Sequence, residues 1–242
     1  MVKLSKRLQA VADLVTGGNC VCDVGTDHAY IPIYLVQNHR IPRALAMDVN
    51  KGPLLRAMEH IAEEKMDNYI VTRQSDGLRQ LQSGEADSVI IAGMGGGLVM
   101  RILEESFEKL EAVKELILQP QSDIEQVRRF VETKGFTIIQ NDIVYEDGKY
   151  YFMFRCIHQV NDAQVDRKII YDRYGKHLIL QNNPVLEAFL KKEEMQLMTI
   201  KASLQKQADS EAATERRREL EERLQGIREA REEMKTSCNV EK

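Results

Sequence analysis

The chain lacks the features that mark membrane, secreted and metal-binding proteins. None of its apolar runs approaches the roughly 20 residues that a helix needs to span a bilayer. Residues 1–7 pass into a polar amphipathic stretch and do not form the unbroken apolar segment of a signal peptide. Its four cysteines show no C-x-x-C spacing and no clustering with histidine, which argues against disulfides and a metal site. We therefore expect a cytoplasmic protein with no membrane association and no metal.

The first predicted turn lacks the three glycines of a dinucleotide site. The apolar run 19–24 is typical of a buried parallel strand, and it contains Asp23 and is followed by Gly25. A pyrophosphate site needs the pattern G-x-G-x-x-G, but this turn has one glycine and two acids, Asp23 and Asp27. These acids would repel a pyrophosphate and attract the ammonium and sulfonium groups of S-adenosylmethionine. The turn therefore favours S-adenosylmethionine as the cofactor.

Another acid lies near the end of the next predicted strand. The apolar run 44–49 contains Asp48. An acid at the end of the second strand, after a strand, a glycine turn and a helix, is placed to accept hydrogen bonds from the two hydroxyls of a ribose. Asp48 could instead cap the helix predicted from residue 51, although Asn50 could also serve as that cap.

Residues 1–158 alternate between helix and strand patterns, which predicts an α/β domain. Helical patterns cover 3–15, 30–38, 51–66, a segment from the next glycine turn to about 110, and 123–134. Strand patterns cover 19–24, 44–49, 69–74, 88–92, 115–119, 136–145 and 150–157. The sequence EDGK between the last two strands is typical of a hairpin. We expect a doubly wound, Rossmann-like sheet with helices on both faces and an antiparallel edge.

Residues 159–242 differ in composition and lack strand patterns. Acidic and basic residues balance in this segment, so the net charge of −4 belongs to the first 158 residues. Apolar residues recur at coiled-coil spacing at Leu186, Leu190, Leu197, Ile200, Leu204, Leu220, Leu224, Ile227 and Met234. We expect a helix at about 163–180 that stops before Pro184, then two long antiparallel helices that turn near 208–212. The segment is predicted to be an α-helical coiled-coil domain, through which the chain could self-associate.

Four motifs resemble those of one known family. They are DVGTDHAYIP at 23–32, SDGL at 75–78, IIAGMGGGL at 90–98 and LQPQ at 118–121. Together they resemble the bacterial tRNA (adenine-22-N1)-methyltransferase family, and the resemblance covers essentially the whole chain. It implies a class I, S-adenosylmethionine-dependent methyltransferase domain at 1–158 and a C-terminal coiled coil at 159–242. The implied activity is methyl transfer to ring N1 of adenine 22 in tRNA.

The resemblance places the methionine end of the cofactor at the first strand tip, and the chemistry of the residues indicates cofactor contacts at the other tips. Asp23 and Gly25 would bind the methionine end of the cofactor and His28 would touch it, although Gly25 would also suit an ordinary strand-to-helix turn. Asp76, next to Gly77 after the third strand, can accept a hydrogen bond from the adenine amino group, or it can cap the following helix. Acids at three successive strand tips lie along the crevice where open α/β sheets bind ligands.

The fourth strand lacks the Asn/Asp-Pro-Pro-Tyr/Phe motif that amino-directed methyltransferases commonly carry. It continues instead into AGMGGG at 92–97, where Gly93 and Met94 are expected to contact the cofactor. Glycines let backbone groups approach the methyl donor and the target base closely, which fits a ring nitrogen as the target. A phosphate-binding glycine turn is the alternative, and it is disfavoured because no Lys-Ser/Thr follows.

The expected reaction is a direct displacement in which a ring nitrogen attacks the sulfonium methyl. Such a transfer depends mainly on proximity and alignment and needs no nucleophilic residue. Asp27 is the candidate carboxylate that stabilises the cationic base or accepts its N6 proton. Tyr30 is the candidate for stacking on an extruded adenine. In the alternative, His28 and Tyr30 pack on the helix and contact only the cofactor.

The acidic net charge means that RNA binding would depend on local basic patches. Candidates are Lys3, Lys6, Arg7, Arg101, Arg128, Arg129, Arg216, Arg217 and Arg218, each of which could also belong to an ordinary solvated face. Two other functions stay open from the residues alone. The first is a class I methyltransferase that acts on another RNA or on a small molecule. The second is a degenerate Rossmann-like domain whose coiled coil serves as an interaction module.

Overall fold

The computed structural model describes residues 2–158, 168–205 and 210–237. The chain forms two compact units, Met1–Val165 and Asp166–Lys242. The predicted boundary between residues 158 and 159 adjoins residues outside the described ranges, so it stays a prediction. The two units are considered separately below.

The first unit contains a seven-stranded sheet and six helices among its described residues. The helices are α1 (Lys6–Asp13), α2 (Tyr30–Gln37), α3 (Lys51–Glu63), α4 (Gly96–Glu105), α5 (Phe107–Leu110) and α6 (Ile124–Thr133). The strands are β1 (Val21–Val24), β2 (Ala44–Asp48), β3 (Ile70–Gln74), β4 (Ser88–Met94), β5 (Glu115–Pro120), β6 (Phe136–Glu146) and β7 (Lys149–His158).

The strand order of the sheet is β3-β2-β1-β4-β5-β7-β6. Strands β1 to β5 pair in parallel, and β7 runs antiparallel to both β5 and β6. The predicted α/β sheet with a reversed edge is confirmed. Its winding direction changes between β1 and β4, and ligands of open α/β sheets bind beyond the carboxyl ends of the strands at such a point.

Alternate side chains of the central strands enter two hydrophobic layers. Cys22 and Val24 of β1 pack with apolar residues of α4, α5 and α6. Val21 of the same strand packs with apolar residues of α1, α2 and α3. Because successive strand residues point to opposite faces, a strand that is covered on both faces has a continuous apolar sequence. Helices therefore cover both faces of the sheet, as predicted.

Two helices of this unit differ from the sequence prediction. The first helix starts at Lys6 rather than residue 3, because Ser5 Oγ caps it by accepting a hydrogen bond from the backbone N–H of Leu8 at 3.3 Å. The single helix predicted from the glycine turn to about 110 is divided into α4 and α5 at Ser106. Ser106 has a φ of −125°, which is outside the helical range.

The second unit is helical throughout its described residues. Its helices are α7 (Ile169–Tyr174), α8 (Lys176–Leu180), α9 (Pro184–Leu204) and α10 (Glu211–Ser237). The helix predicted at 163–180 is divided at Gly175, whose φ is +92°; its first residues, 163–167, lie outside the described ranges. The predicted stop before Pro184 agrees with the structure, because Asn183 Oδ1 caps α9 by accepting hydrogen bonds from the backbone N–H groups of Val185 and Leu186.

Most of the predicted coiled-coil positions are buried within this unit. The buried ones are Leu186, Leu190, Leu197, Leu220, Leu224, Ile227 and Met234. The assignment of Ile200 is wrong, because its side chain is 39% exposed. Helix α10 also packs against α7 and α8, so the apolar face of α10 is shared among three helices rather than with α9 alone. A coiled coil as such stays a prediction, and the turn predicted near 208–212 falls partly on 206–209, outside the described ranges.

Candidate active site

Asp23 lies near the carboxyl end of β1 with 7% of its surface exposed. Burial raises the pKa of its carboxyl to about 6; the Thr26 hydroxyl opposes the rise and the Asp48 carboxylate adds to it. Asp23 has no cationic partner among the residues that the structure describes. Because an unpaired buried carboxylate is costly, this position favours a positively charged ligand group.

Gly25 forms a tight turn after β1. Its φ is +75°, and its backbone N–H donates a hydrogen bond to the Met47 carbonyl at 2.8 Å. This positive φ favours glycine, and a Cβ at this position would lie 2.0 Å from Cε at the flexible end of the Met94 side chain. The structure therefore brings two predicted cofactor residues, Gly25 and Met94, into contact.

Gly93 lies at an irregularity near the end of β4. Its φ is +82°, and the pairing of β4 with β5 shifts register between Ala92 and Met94. Such a bulge redirects the strand and exposes backbone groups at its tip. Because β1 and β4 pair in parallel with Val24 opposite Ile91, Gly25 and Gly93 both lie at the carboxyl ends of neighbouring strands. Their sharing of one cofactor site stays a prediction.

Asp48 ends β2, and its Oδ1 accepts a hydrogen bond from the backbone N–H of Asn50 at 2.7 Å. Neither of the proposed helix caps forms as such, because α3 starts after Asn50 without a side-chain cap bond. Asp48 Oδ2 has no hydrogen bond within the described part of the chain. This oxygen is available to a ribose hydroxyl, which is the role predicted for Asp48.

Asp76 follows β3, and two arginines balance the negative charge of its carboxylate. Its Oδ2 lies 3.3 Å from Arg79 Nη1, and its Oδ1 lies 3.7 Å from Arg101 Nη2. Gly77 has a φ of +57°, and a Cβ there would lie 2.9 Å from Cγ1 of Ile102. The turn is therefore specific for glycine, and the contact of Asp76 with an adenine amino group stays a prediction.

Asp27, His28 and Tyr30 form a polar and aromatic group with two residues of α3. Asp27 is largely exposed and pairs with Arg56, whose Nη2 lies 2.9 Å from Asp27 Oδ1. The rings of His28 and Tyr30 stack with centroids 5.3 Å apart, and the His60 ring meets the Tyr30 ring edge to face at 5.0 Å. His60 Nδ1 also hydrogen-bonds the His28 carbonyl oxygen at 2.6 Å. The predicted catalytic residues thus adjoin one another.

Arg56 and His60 were not predicted from the sequence. They lie one helical turn apart on α3, and this i, i+4 spacing on the helix after Asp48 was the available signal. Their partners lie about 30 positions earlier, at a separation that no local pattern reports. One predicted RNA contact is also wrong: Arg128 is 1% exposed, and its guanidinium lies over the rings of Phe152 and Phe154.

The residues at the ends of β1 and β2 complement charged and polar groups of S-adenosylmethionine. The buried Asp23 carboxyl suits its ammonium group, and Asp48 Oδ2 suits a ribose hydroxyl. The backbone turns at Gly25 and Gly93 permit close approach, because no Cβ projects from either of them. No cluster of three or more potential metal ligands occurs in residues 2–158, 168–205 or 210–237, and none of the helices found there is long and apolar enough to cross a membrane.

Comparison with known proteins identifies the family. Residues 4–154 match the family profile described as a methyltransferase domain. The tRNA (adenine(22)-N(1))-methyltransferase of Bacillus subtilis strain 168 is 36% identical over 239 residues, which are 94% of this chain and 97% of that protein. The chain belongs to this tRNA (adenine(22)-N(1))-methyltransferase family. The resemblance seen in the four sequence motifs is confirmed.

Solved structures of the tRNA (adenine(22)-N(1))-methyltransferase family share the fold of this chain. The B. subtilis m1A22 tRNA methyltransferase TrmK superposes with a TM-score of 0.86 at 33% identity, covering 96% of this chain and all of that one (100%). Mycoplasma capricolum TrmK in complex with the cofactor product S-adenosyl-homocysteine superposes with a TM-score of 0.82 at 26% identity, covering 96% and 99%. Similarity to these family members therefore extends over both units of the chain.

Proposed function

We propose that this protein transfers the methyl group of S-adenosylmethionine to N1 of adenine 22 in tRNA. The observation that carries the proposal is the match to the B. subtilis enzyme over 94% of the chain. The acids at the tips of β1, β2 and β3 agree with it, because they lie where an open α/β sheet binds its ligand.

The cofactor would lie across the tips of the central strands. Asp23 and Gly25 would bind its methionine end, Asp48 its ribose, and Asp76 with Gly77 its adenine. His28, Gly93 and Met94 would line the space around the methyl group. When bound, S-adenosylmethionine supplies an electrophilic methyl group on a sulfonium centre.

The protein's own residues would position the target base. The target adenine would enter beside the glycine turn after β4, with its N1 lone pair pointing at the methyl group. Tyr30, which is 37% exposed, could stack on that adenine. Asp27 would stabilise the positive charge that develops on the base, and Arg56 fixes the Asp27 carboxylate in the free protein.

The tRNA substrate would require more surface than the cofactor site provides. Helices α9 and α10 are long and highly charged, and we infer that they extend the surface that meets tRNA. Arg216 and Arg218 pair with glutamates of their own helix, so phosphate contacts would have to compete with those pairs. Self-association through these helices and a cytoplasmic location are further parts of the proposal.

The activity is tested by methyl transfer from labelled S-adenosylmethionine to unmodified tRNA, followed by digestion and separation of the nucleosides. The proposal expects the label in 1-methyladenosine. Label in a methylated guanosine or in an N6-methylated adenosine would contradict the proposed target atom. Binding of the cofactor without transfer to any tRNA would favour a small-molecule substrate, and absence of cofactor binding would favour the interaction-module alternative.

Replacement of Asp48 by alanine should weaken cofactor binding. Loss of a charge-assisted hydrogen bond to the ribose should cost about 1.5 to 3 kcal/mol, or roughly ten- to a hundredfold in affinity. Calorimetric titration with S-adenosyl-homocysteine measures this directly, and the exposed Asp67→Ala is the matched control. Equal affinities of the Asp48 variant and the wild type would remove the ribose assignment.

Removal of the second unit should reduce tRNA methylation and leave cofactor binding unchanged. A chain that ends at residue 165 keeps the sheet, both hydrophobic layers and all the acids at the strand tips. It should bind S-adenosyl-homocysteine with the affinity of the whole chain, whereas kcat/KM for tRNA should fall about tenfold or more, because phosphate contacts are lost. Full methylation of tRNA by the shortened chain would show that α9 and α10 serve a different partner.

A further inference from the structure

The LQPQ motif at 118–121 has no role in the assignments above, although it lies beside the glycine turn. Its first three residues complete β5, and Pro120 pairs with Met94 at the end of β4. The backbone N–H of the next residue, Gln121, donates a hydrogen bond to the Met94 carbonyl at 2.8 Å. The backbone of Gln121 is therefore fixed at the turn that follows β4.

The two glutamines of the motif have different surroundings. Gln119 is completely buried; its Oε1 accepts a hydrogen bond from Arg7 Nη1 at 2.9 Å, and its Nε2 donates to the Pro120 carbonyl at 3.3 Å. Gln121 is exposed, and within the described part of the chain its side-chain amide makes no hydrogen bond. Gln119 thus stabilises the end of the strand, whereas the amide of Gln121 is available to a ligand.

The Gln121 amide lies close to the position proposed for the target base. A Cβ at Gly93 would lie 3.8 Å from Gln121 Nε2. Gly93 belongs to the turn beside which the adenine would enter, and it has no side chain of its own to contact that base. A side chain at the tip of the neighbouring strand β5 can therefore supply the polar contact that the turn lacks.

Transfer to N1 leaves one edge of adenine free for recognition. Because N1 must point at the methyl group, the Watson–Crick edge faces the cofactor. The Hoogsteen edge offers a hydrogen of the N6 amino group as a donor and N7 as an acceptor. A glutamine amide is complementary to this pair, since its oxygen accepts and its NH2 group donates. Guanine offers two acceptors, O6 and N7, at the same edge and cannot satisfy both ends of the amide.

We propose that Gln121 selects adenine as the target base, with Oε1 accepting a hydrogen bond from N6 and Nε2 donating one to N7. The N6 amino group has a second hydrogen on the side of N1, so this contact is compatible with the role proposed for Asp27. A tRNA phosphate is a less suitable ligand, because the amide is neutral and only its Nε2 could donate to a phosphate. The inference rests on the proposed function, for which it names the determinant of base specificity.

Three tRNAs that differ only in the base at position 22 test this contact in the full chain. The bases are adenine, 7-deazaadenine, which lacks the N7 acceptor, and purine, which lacks the N6 amino group. Gln121→Met preserves the approximate shape of the side chain and removes the amide. The substitution should reduce kcat/KM for the adenine tRNA about tenfold or more and have a much smaller effect with the other two. The preference for adenine over 7-deazaadenine should therefore fall about tenfold.

The decisive quantity is the ratio of this preference in the wild type to that in the variant, because differences in the intrinsic reactivity of the bases cancel in it. Gln82→Ala, at an exposed glutamine between β3 and β4, is the matched control and should behave as the wild type with all three tRNAs. Calorimetry should give the same affinity for S-adenosyl-homocysteine in Gln121→Met and the wild type.

Three results would overturn the role of Gln121 alone. An equal loss of kcat/KM for all three tRNAs would show that Gln121 supports the turn and does not read the base. A loss of affinity for S-adenosyl-homocysteine would assign Gln121 to the cofactor. Unchanged kcat/KM for the adenine tRNA would show that the base is selected elsewhere. Transfer by the wild type to none of the three tRNAs, with the cofactor bound, would instead overturn the proposed function together with this role.

Discussion

Replacement of Asp23 by asparagine should weaken S-adenosylmethionine binding about a hundredfold at pH 7.5 and at the same time stabilise the free protein. The affinity falls because the ammonium group loses a buried charged partner, which costs about 2 to 5 kcal/mol when one member of such a pair is removed. The stability rises because the carboxylate is buried in the free protein with no cationic partner among the described residues.

The direction of the stability change follows from the raised pKa. Asp23 has a pKa of about 6 in the folded protein against 3.8 ordinarily, so the folded state holds its proton more tightly than the unfolded state. Stability is therefore lost as the pH rises from about 4 to 6, and the full penalty, on the order of 3 kcal/mol, is present above pH 6. An asparagine side chain cannot ionise, so the Asp23→Asn variant avoids this penalty at neutral pH.

Two measurements check the Asp23 prediction. Urea unfolding at pH 7.5 should give a larger free energy of unfolding for Asp23→Asn than for the wild type, with the exposed Asp67→Asn as the unchanged control. Calorimetry should show that wild-type affinity for S-adenosyl-homocysteine falls about tenfold between pH 7.5 and 5, as Asp23 is protonated, whereas the variant shows no such dependence. A variant that binds the cofactor as tightly as the wild type would remove Asp23 from the site.

Replacement of Asp27 by asparagine should slow methyl transfer about a hundredfold with nearly unchanged cofactor affinity. The substitution preserves shape and removes the charge, and its effect should be largest when the base becomes cationic in the transition state. In the structure, Asp27 is exposed and pairs with Arg56, so it is accessible to a base that enters from solvent.

Single-turnover transfer to tRNA, with calorimetry of the cofactor, distinguishes the two roles that Asp27 could have. Glu59→Gln, at an exposed acid on α3, is the matched control and should leave both quantities unchanged. Normal transfer with reduced cofactor affinity would assign Asp27 to the cofactor and leave the base to another group.

Most of the α/β fold could be predicted from the sequence, because strands that are buried on both faces have unbroken apolar sequences. The runs containing Asp23 and Asp48 became β1 and β2, and the EDGK sequence became the β6–β7 hairpin. The breaks at Ser106 and Gly175 were missed because the apolar pattern continues across them. Ile200 has the spacing of the buried positions but is exposed, and this spacing does not indicate that α10 also packs against α7 and α8.

As with the fold, some features of the candidate site could be predicted from the sequence and others could not. Acids at the strand tips were predictable, since parallel strands of one sheet direct their carboxyl ends to one edge. The pairing of Asp27 with Arg56 and of Arg7 with Gln119 was not, because the partners are separated by 29 and 112 positions. Arg128 has the sequence surroundings of a surface residue, yet the rings of Phe152 and Phe154 cover it.

Methylation of two transcripts of one tRNA that differ only at nucleotide 22 tests the central claim most directly. Primer extension detects a methyl group on N1 as a stop, because the modification blocks the pairing edge of adenine. The proposed function expects a stop at nucleotide 22 in the transcript with adenine there and no methyl transfer to the transcript with guanine there. Equal transfer to both transcripts, or a stop at any other nucleotide, would contradict it.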